Sequence, residues 1–360
     1  MTTSVYIHIP FCDNICTYCD FCKRYQYDYI VDKYLVALKN EVQENYRGEK
    51  IKTLYIGGGT PSSLSTKALI KLMDIIKTFN LDNCIEFTFE CNPENITEEK
   101  LKILKENGVN RISVGVESTN NIFLKYLGRH HDYEMVKEKI QLIKNYFDNI
   151  NVDLIYALPN ETIDELKNDL QNIVNLNVNH VSTYSLEIHN NTILGIKKTK
   201  SISEDIDSEM YSIICNYLKK YGYNHYEISN FCKSDSYSKH NMVYWQNKEY
   251  YGFGLGASGY FNSIRYDNTR SMNKYLSGNR IFNEEKLSLE DRKSYELILG
   301  FRLVDGINKN EFKKKYHEDL LAQYNIRELI KNGYLIDDGN NVKVSYEKLY
   351  IENSILDNFV

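Results

Sequence analysis

The chain concentrates its chemistry near the N-terminus. A short apolar run, Val5-Tyr6-Ile7-His8-Ile9, stops at Pro10, and Cys12, Cys16, Cys19 and Cys22 follow at once. These are four of the eight cysteines in the chain. Two disulfides are one use for them. Residues 1–10 lack the basic start and long apolar core of a secretory leader, however, so a cytoplasmic, reducing setting is expected. Clustered thiols in that setting bind metal or do redox work. Structural zinc sites usually draw knuckle pairs from separated parts of a chain, whereas four cysteines in one loop favour an iron–sulfur cluster.

Further candidates sit where apolar runs end. Gly57-Gly58-Gly59-Thr60-Pro61 follows Ile51–Ile56. Its glycines let backbone approach a ligand closely, although the run alone reads equally as a tight turn. Glu90 closes Phe87-Thr88-Phe89-Glu90, a position that points into a ligand mouth or into solvent. Arg129 follows Leu127-Gly128 and offers a planar fork for carboxylates. Asp153 interrupts the apolar stretch Val152–Leu158, so it needs a partner or a ligand.

The elements that must position these residues alternate. Strands are expected at Ser4–Ile9, Ile51–Ile56, Ile85–Glu90, Arg111–Val116, Asn151–Tyr156 and Val181–Leu186. Helical spacing fills Tyr29–Val42, Thr66–Phe79, Glu98–Asn107, Tyr133–Phe147, Ile163–Leu176 and Glu204–Leu218. Thr97 before Glu98-Glu99-Lys100 reads as an N-cap, and Gly108 falls where a left-handed C-terminal residue belongs. Six such units predict an α/β fold with a parallel sheet and crossover helices, either curled into a barrel or open and doubly wound. The glycine-rich stretch Tyr251–Tyr260 reads as close backbone packing beside the ligand mouth. It is not a nucleotide loop, because no helix pattern follows.

From about Ser288 helices are expected at Leu289–Gly300, Lys309–Tyr316 and Leu320–Asn332. A hairpin across Tyr334–Val344 and a last helix near Ile351–Phe359 complete a small winged-helix-like module. The expected divisions are a core at 1–222, an extension at 223–285 and this module at 286–360. The net charge is −5 and the mean hydropathy −0.49. No basic recognition helix is evident, so nucleic acid is not an expected partner. No run reaches the ~18 apolar residues of a membrane span.

The spacing Cys12-x3-Cys16-x2-Cys19, with Tyr18 before the third cysteine, resembles the signature of the radical S-adenosylmethionine superfamily. The resemblance implies a partial (β/α)6 barrel whose site lies at the strands' C-terminal ends. It also implies a 4Fe–4S cluster held by Cys12, Cys16 and Cys19, with one iron left open for S-adenosylmethionine. Cys22 is then a nearby non-ligand, since a fourth thiolate would block the open iron. Taken over nearly the whole chain, the motifs are similar to the branch containing oxygen-independent coproporphyrinogen III oxidase and the HemW haem chaperones. That likeness implies S-adenosylmethionine contacts at Tyr6, Tyr18, Gly58, Gly59, Thr60, Glu90, Arg129 and Asp153. Position 117 is usually Gln in this branch and is Glu117 here, which alters both charge and hydrogen bonding at a further cofactor contact.

Three features favour the chaperone side of the branch. The oxidase carries Cys-x-Cys where this chain has Cys19-Asp20-Phe21, and it has an N-terminal extension, whereas eleven residues precede Cys12 here. The third feature is His240-Asn241-Met242-Val243-Tyr244-Trp245, which resembles the His-Asn-x-x-Tyr-Trp mark linked to haem. It implies haem contacts at His240, Tyr244 and Trp245, for which imidazole ligation and aromatic packing supply the chemistry. A hydrogen-bonded loop histidine beside a core tryptophan is the plainer alternative. The resemblance implies transfer of haem to a target protein that the sequence does not identify. It leaves open a homodimer, and membrane association only through the recipient. The competing expectation is oxidation of the propionates of coproporphyrinogen III to vinyl groups.

Overall fold

The computed structural model describes residues 2–360. Six strands follow the expected alternation: β1 (Thr2–Ile9), β2 (Lys50–Gly58), β3 (Glu86–Cys91), β4 (Arg111–Glu117), β5 (Asn149–Tyr156) and β6 (His180–Ser185). They pair in parallel and in chain order. Helices Asp28–Asn45, Thr66–Ile76, Glu98–Glu106, Tyr133–Lys144, Ile163–Asn175 and Glu204–Lys220 follow the successive strands. Thr97 caps its helix by accepting from the Lys100 N–H, and Gly108 takes a φ of +89° just beyond that helix.

The pleat decides what each face carries. On β4, Ile112, Val114 and Val116 are fully buried in the apolar core. Arg111, Ser113, Gly115 and Glu117 alternate with them and face the interior of the curled sheet. A polar network across that interior joins Ser113, Asn151 and Asp153, and His180 joins it through Asn151. The barrel is therefore apolar where it meets its helices and polar inside. That polar lining is what a ligand site needs and what a packed core avoids.

The sheet continues past both sides of this core. Beyond β6 lie two antiparallel strands, β7 (Asn224–Glu227) and β8 (Asn230–Cys232). Beyond β1 lie β9 (Tyr250–Phe253), β10 (Ser258–Phe261), β11 (Ile264–Asn268) and β12 (Ile281–Lys286). Strand β9 runs parallel to β1, and the full order is β12-β11-β10-β9-β1-β2-β3-β4-β5-β6-β8-β7. The sheet curls without closing. The glycine-rich stretch, read from sequence as close packing, supplies β9 and β10. A side chain at Gly252 would collide with the Ser258 carbonyl, and one at Gly259 with the Tyr266 ring.

Glu41, on the first helix, ties this extension to the core. Its buried carboxylate accepts from the Tyr275 hydroxyl (2.5 Å), the Asn268 amide (2.6 Å) and the Gly254 N–H (2.9 Å). Removing the acceptor strands three donors away from water. Glu41→Ala is therefore expected to cost about 3 kcal/mol, read as a lower urea midpoint. A loss below ~1 kcal/mol would mean that water replaces the carboxylate.

At the C-terminal end, helices Leu289–Gly300 and Lys309–Tyr316 form as expected, and the hairpin pairs Leu335–Asp337 with Asn341–Val344. The single helix expected over Leu320–Asn332 is two pieces, a 3-10 turn at Leu320–Ala322 and a helix at Ile326–Lys331. Asn325 between them takes a φ of +61°, which a continuous right-handed helix excludes. The last helix shortens to Glu352–Leu356, flanked by 3-10 turns. Among the described residues, no helix is long and apolar enough to cross a membrane.

Candidate functional site

The cysteine loop leaves β1 at Pro10 and is pinned on three sides. The Arg24 N–H donates to the Pro10 carbonyl (2.6 Å) and the Gln26 N–H to the Cys12 carbonyl (3.2 Å). The Thr60 N–H donates to the Phe11 carbonyl (2.8 Å), which fixes the loop to the glycine turn after β2. The Thr17 N–H donates to the Leu127 carbonyl (2.9 Å), tying it to the turn that carries Arg129. That turn ends a short helix at Asn121–Leu127, which sequence periodicity did not reveal. Gly128 closes the helix in the left-handed conformation, with a φ of +75°.

These anchors frame a cavity of about 640 Å³ at the C-terminal ends of the strands. Cys12, Cys16 and Cys19 line it, and Cys22 does not. The Cys22 thiol is buried against Gly256, while its carbonyl bonds the His8 ring (2.7 Å). Tyr18, Gly58, Gly59, Thr60, Glu90, Glu117, Arg129 and Asp153 all line the cavity as well. Tyr6 stands behind this lining, packed on the Tyr55 ring with its hydroxyl on His8.

The glycine turn is a cradle. Gly58 takes a φ of +116°, and a Cβ there would strike the His8 ring at 2.6 Å. A Cβ on Gly59 would meet the Phe11 carbonyl at 2.8 Å and the Cys12 sulfur at 3.0 Å. Against the turn lies Glu90, held by the Tyr55 hydroxyl (2.8 Å) and the Gly58 N–H (3.0 Å). Arg129 donates to the Asn92 side-chain Oδ1 (3.0 Å), the Gly115 backbone carbonyl (2.5 Å) and the Cys16 sulfur (3.5 Å). It stands 3.9 Å from the Glu117 carboxylate, and its Nε has no partner. Tyr55, Asn92 and Ser113 also line the cavity and were not singled out from sequence.

Charge in this cavity is unbalanced. Burial pushes Glu90 and Glu117 each up to about 7, although the Tyr55 hydroxyl opposes this at Glu90 and Arg129 opposes it at Glu117. Burial likewise raises Asp153, against hydrogen bonds from Asn151, Ser182 and Ser113. Asp153 thus has the partners that its burial demands. Arg129 stays firmly protonated. Asp20, Glu90, Glu117, Asp153 and Glu187 line the cavity with Lys23, Arg129 and Arg270; this excess of carboxyls suits a ligand with net positive charge, and S-adenosylmethionine is one, with a sulfonium, an ammonium and a single carboxylate.

The thiols also fit a cluster. Burial pushes Cys12 up to about 12 and Cys19 up to about 11, and a bound metal would hold both as thiolates. Among the described residues, no three Cys, His, Asp or Glu side chains converge as ligands of a single ion would. A cluster spreads its thiolates over separate irons, so its ligands need less convergence.

The hexapeptide lies elsewhere, on a helix at Lys239–Trp245 that follows the capping residue Ser238. The buried Glu86 carboxylate accepts both the Lys239 and the His240 N–H groups (2.8 and 2.9 Å). His240 is fully buried, with Nδ1 on the Thr53 hydroxyl and Nε2 on the Tyr244 hydroxyl, both at 2.8 Å. Both imidazole nitrogens are thus hydrogen-bonded within the protein. Trp245 packs against the Arg302 guanidinium from the C-terminal module.

Comparison with known proteins agrees with this arrangement. The radical SAM superfamily matches residues 6–173 and the HemN C-terminal domain residues 287–347. The solved structure of Escherichia coli coproporphyrinogen III oxidase, HemN, superposes with a TM-score of 0.86 over 99% of this chain and 89% of that one. At 22% identity, this is a likeness of fold. The fold and site define a radical S-adenosylmethionine protein, a class that implies a 4Fe–4S cluster and S-adenosylmethionine. The chain is 39% identical to the haem chaperone HemW of Lactococcus lactis, across 99% of this chain and 97% of that protein. It is 35% identical to HemW of Bacillus subtilis and 31% identical to HemW of Escherichia coli, with at least 98% of each chain covered. The chain belongs to the HemW family.

Proposed function

We propose that this protein is a haem-binding chaperone that carries a 4Fe–4S cluster and S-adenosylmethionine and passes haem to a recipient protein. The observation that carries this reading is the end-to-end similarity to proteins named as haem chaperones, through both barrel and C-terminal module. In this reading Cys12, Cys16 and Cys19 hold the cluster, and Cys22 stays a core thiol. Gly58, Gly59 and Thr60 cradle the amino end of S-adenosylmethionine, and Arg129 faces its carboxylate. Glu90, Glu117 and Asp153 balance its positive charge, and Tyr18 closes the loop side. When bound, the cluster supplies the electron that can split the sulfonium. The protein's own residues orient the ligand and exclude water.

The test is anaerobic haem titration of the reconstituted protein, alongside a coproporphyrinogen III turnover assay with S-adenosylmethionine and a reductant. Saturable, near-stoichiometric haem binding with no protoporphyrinogen formed is the expected outcome. Turnover without haem binding would replace this reading with that of the oxidase.

A further inference from the structure

Asn92 stands where the segments around the cysteine loop meet. It is the first residue after β3, and its N–H donates to the Ser62 hydroxyl (3.0 Å) in the 3-10 turn Pro61–Ser63 beyond the glycine cradle. Its side-chain Oδ1 accepts from Arg129 (3.0 Å), and its Nδ2 donates to the Thr60 hydroxyl (3.3 Å). Thr60 in turn donates to the Cys12 sulfur and Arg129 to the Cys16 sulfur, both at 3.5 Å. One amide thus joins the donors that reach two of the three candidate cluster thiols.

Chemistry gives this chain of hydrogen bonds a single direction. A guanidinium has N–H donors and no acceptor, so the Asn92 oxygen faces Arg129 and its amide N–H groups face Thr60. The Glu94 carboxylate, 3.5 Å from the same Nδ2, calls for the same orientation. A hydroxyl that accepts from Asn92 keeps its own proton to give, and for Thr60 the acceptor is the Cys12 sulfur. On the other arm, Arg129 Nη2 is held by Asn92 and the Gly115 carbonyl, which leaves Nη1 on Cys16. The Thr60 and Arg129 side chains are both buried, and hydrogen bonds out of reach of bulk water carry more electrostatic weight. Hydrogen bonds to the sulfurs are a lever on the reduction potential of an iron–sulfur cluster, because they stabilise the more negative, reduced form.

We propose that Asn92 is a positioning residue that raises the cluster's reduction potential, by aiming the Thr60 hydroxyl at Cys12 and the Arg129 fork at Cys16. The inference rests on the reading of Cys12, Cys16 and Cys19 as cluster ligands and goes beyond it, since Asn92 itself makes no hydrogen bond to a thiol among the described residues. Donors on two of three thiolates make the reduced cluster easier to form and a weaker donor of its electron.

The experiment is an anaerobic redox titration of the reconstituted full-length protein with dithionite, without S-adenosylmethionine, followed by the EPR signal of the one-electron-reduced cluster. The proteins compared are the unmodified chain, Asn92→Leu, Thr60→Val, their double variant and Thr60→Ser, with iron and sulfide measured in each to establish that the cluster is assembled. Asn92→Leu and Thr60→Val should each lower the reduced-to-oxidised ratio at a fixed potential about tenfold, a shift of about 59 mV to more negative values. Thr60→Ser keeps the hydroxyl and should keep the unmodified value. In the double variant the shift should fall short of the sum, because Asn92 works partly through Thr60. If Asn92→Leu assembles no cluster, Asn92→Asp replaces it: the carboxylate accepts from Arg129 but has no donor for Thr60. Its shift should be smaller with Thr60→Val than without, a comparison in which the added charge cancels. An unchanged potential in iron-replete Asn92→Leu and Thr60→Val would overturn the role of Asn92 and leave the cluster reading standing, and fully additive shifts would overturn its action through Thr60. An unmodified protein that takes up no cluster would overturn the cluster reading itself.

Discussion

Cys16→Ser is expected to abolish cluster assembly, whereas Cys22→Ser is expected to preserve it. Both residues lie in one short loop, so sequence proximity does not separate them; the fold does. Cys16 lines the cofactor cavity with Cys12 and Cys19, and the Arg129 guanidinium stands 3.5 Å from its sulfur. Cys22 is packed into the apolar core behind the loop. Three thiolates are the least that hold a cluster with one open iron, so the loss of any one leaves two. Iron and sulfide should fall from about four of each per chain to background in Cys12→Ser, Cys16→Ser and Cys19→Ser, together with the visible absorbance. Cys22→Ser places a hydroxyl among apolar groups and should lower stability by about 1–2 kcal/mol while retaining iron. Equal loss of iron in Cys22→Ser would make the site a closed four-thiolate one and remove the open position for S-adenosylmethionine. Full iron in Cys16→Ser would move the cluster away from this loop.

The parts legible in the sequence are those whose signal is local. Val5–Ile9 and Pro10 announce a strand and its end within a few residues, and the polar letters of β4 recur with period two between buried Ile112, Val114 and Val116. The cysteine spacing and the glycine turn are equally local. Tyr55 and Asn92 were not legible, because their roles depend on distant partners: Glu90 for one, Arg129 and Thr60 for the other. Strands β9–β12 escaped notice because Tyr, Gly and Asn recur there without an apolar period, and β9 forms its ladder with β1, pairing Tyr250 with Ser4 and Phe253 with Ile7. The hexapeptide was legible as a motif but not as a surface. Whether His240 faced a ligand or the interior depended on Glu86 and Thr53, which meet the helix only in the folded chain.

The second large effect is electrostatic. Affinity for S-adenosylmethionine is expected to rise with pH between 6 and 8, and Glu117→Gln should flatten that rise. Burial holds Glu90 and Glu117 near 7 in the free protein, so at pH 6 both are largely neutral and offer a cationic ligand little. If binding requires one of them ionised, affinity at pH 6 is roughly tenfold below that at pH 8, and lower still if it requires both. Binding should release protons, which calorimetry in buffers of different ionisation enthalpy detects. Stability runs the other way. A carboxyl whose folded pKa stands above its unfolded 4.5 adds stability that is complete below 4.5 and is lost as pH rises through about 7. The ligand-free protein should therefore melt lower at pH 8 than at pH 5.5, and S-adenosylmethionine should raise the melting temperature most at pH 8. Glu117→Gln keeps the side chain's length and hydrogen-bonding oxygen but removes the charge that faces Arg129 at 3.9 Å. A pH slope in the variant equal to that of the unmodified protein would show that Glu117 stays in one protonation state and leave Glu90 as the titrating group. An affinity independent of pH in both would mean that neither carboxyl titrates against the ligand. Arg129 would then be the residue that selects S-adenosylmethionine, through its carboxylate alone.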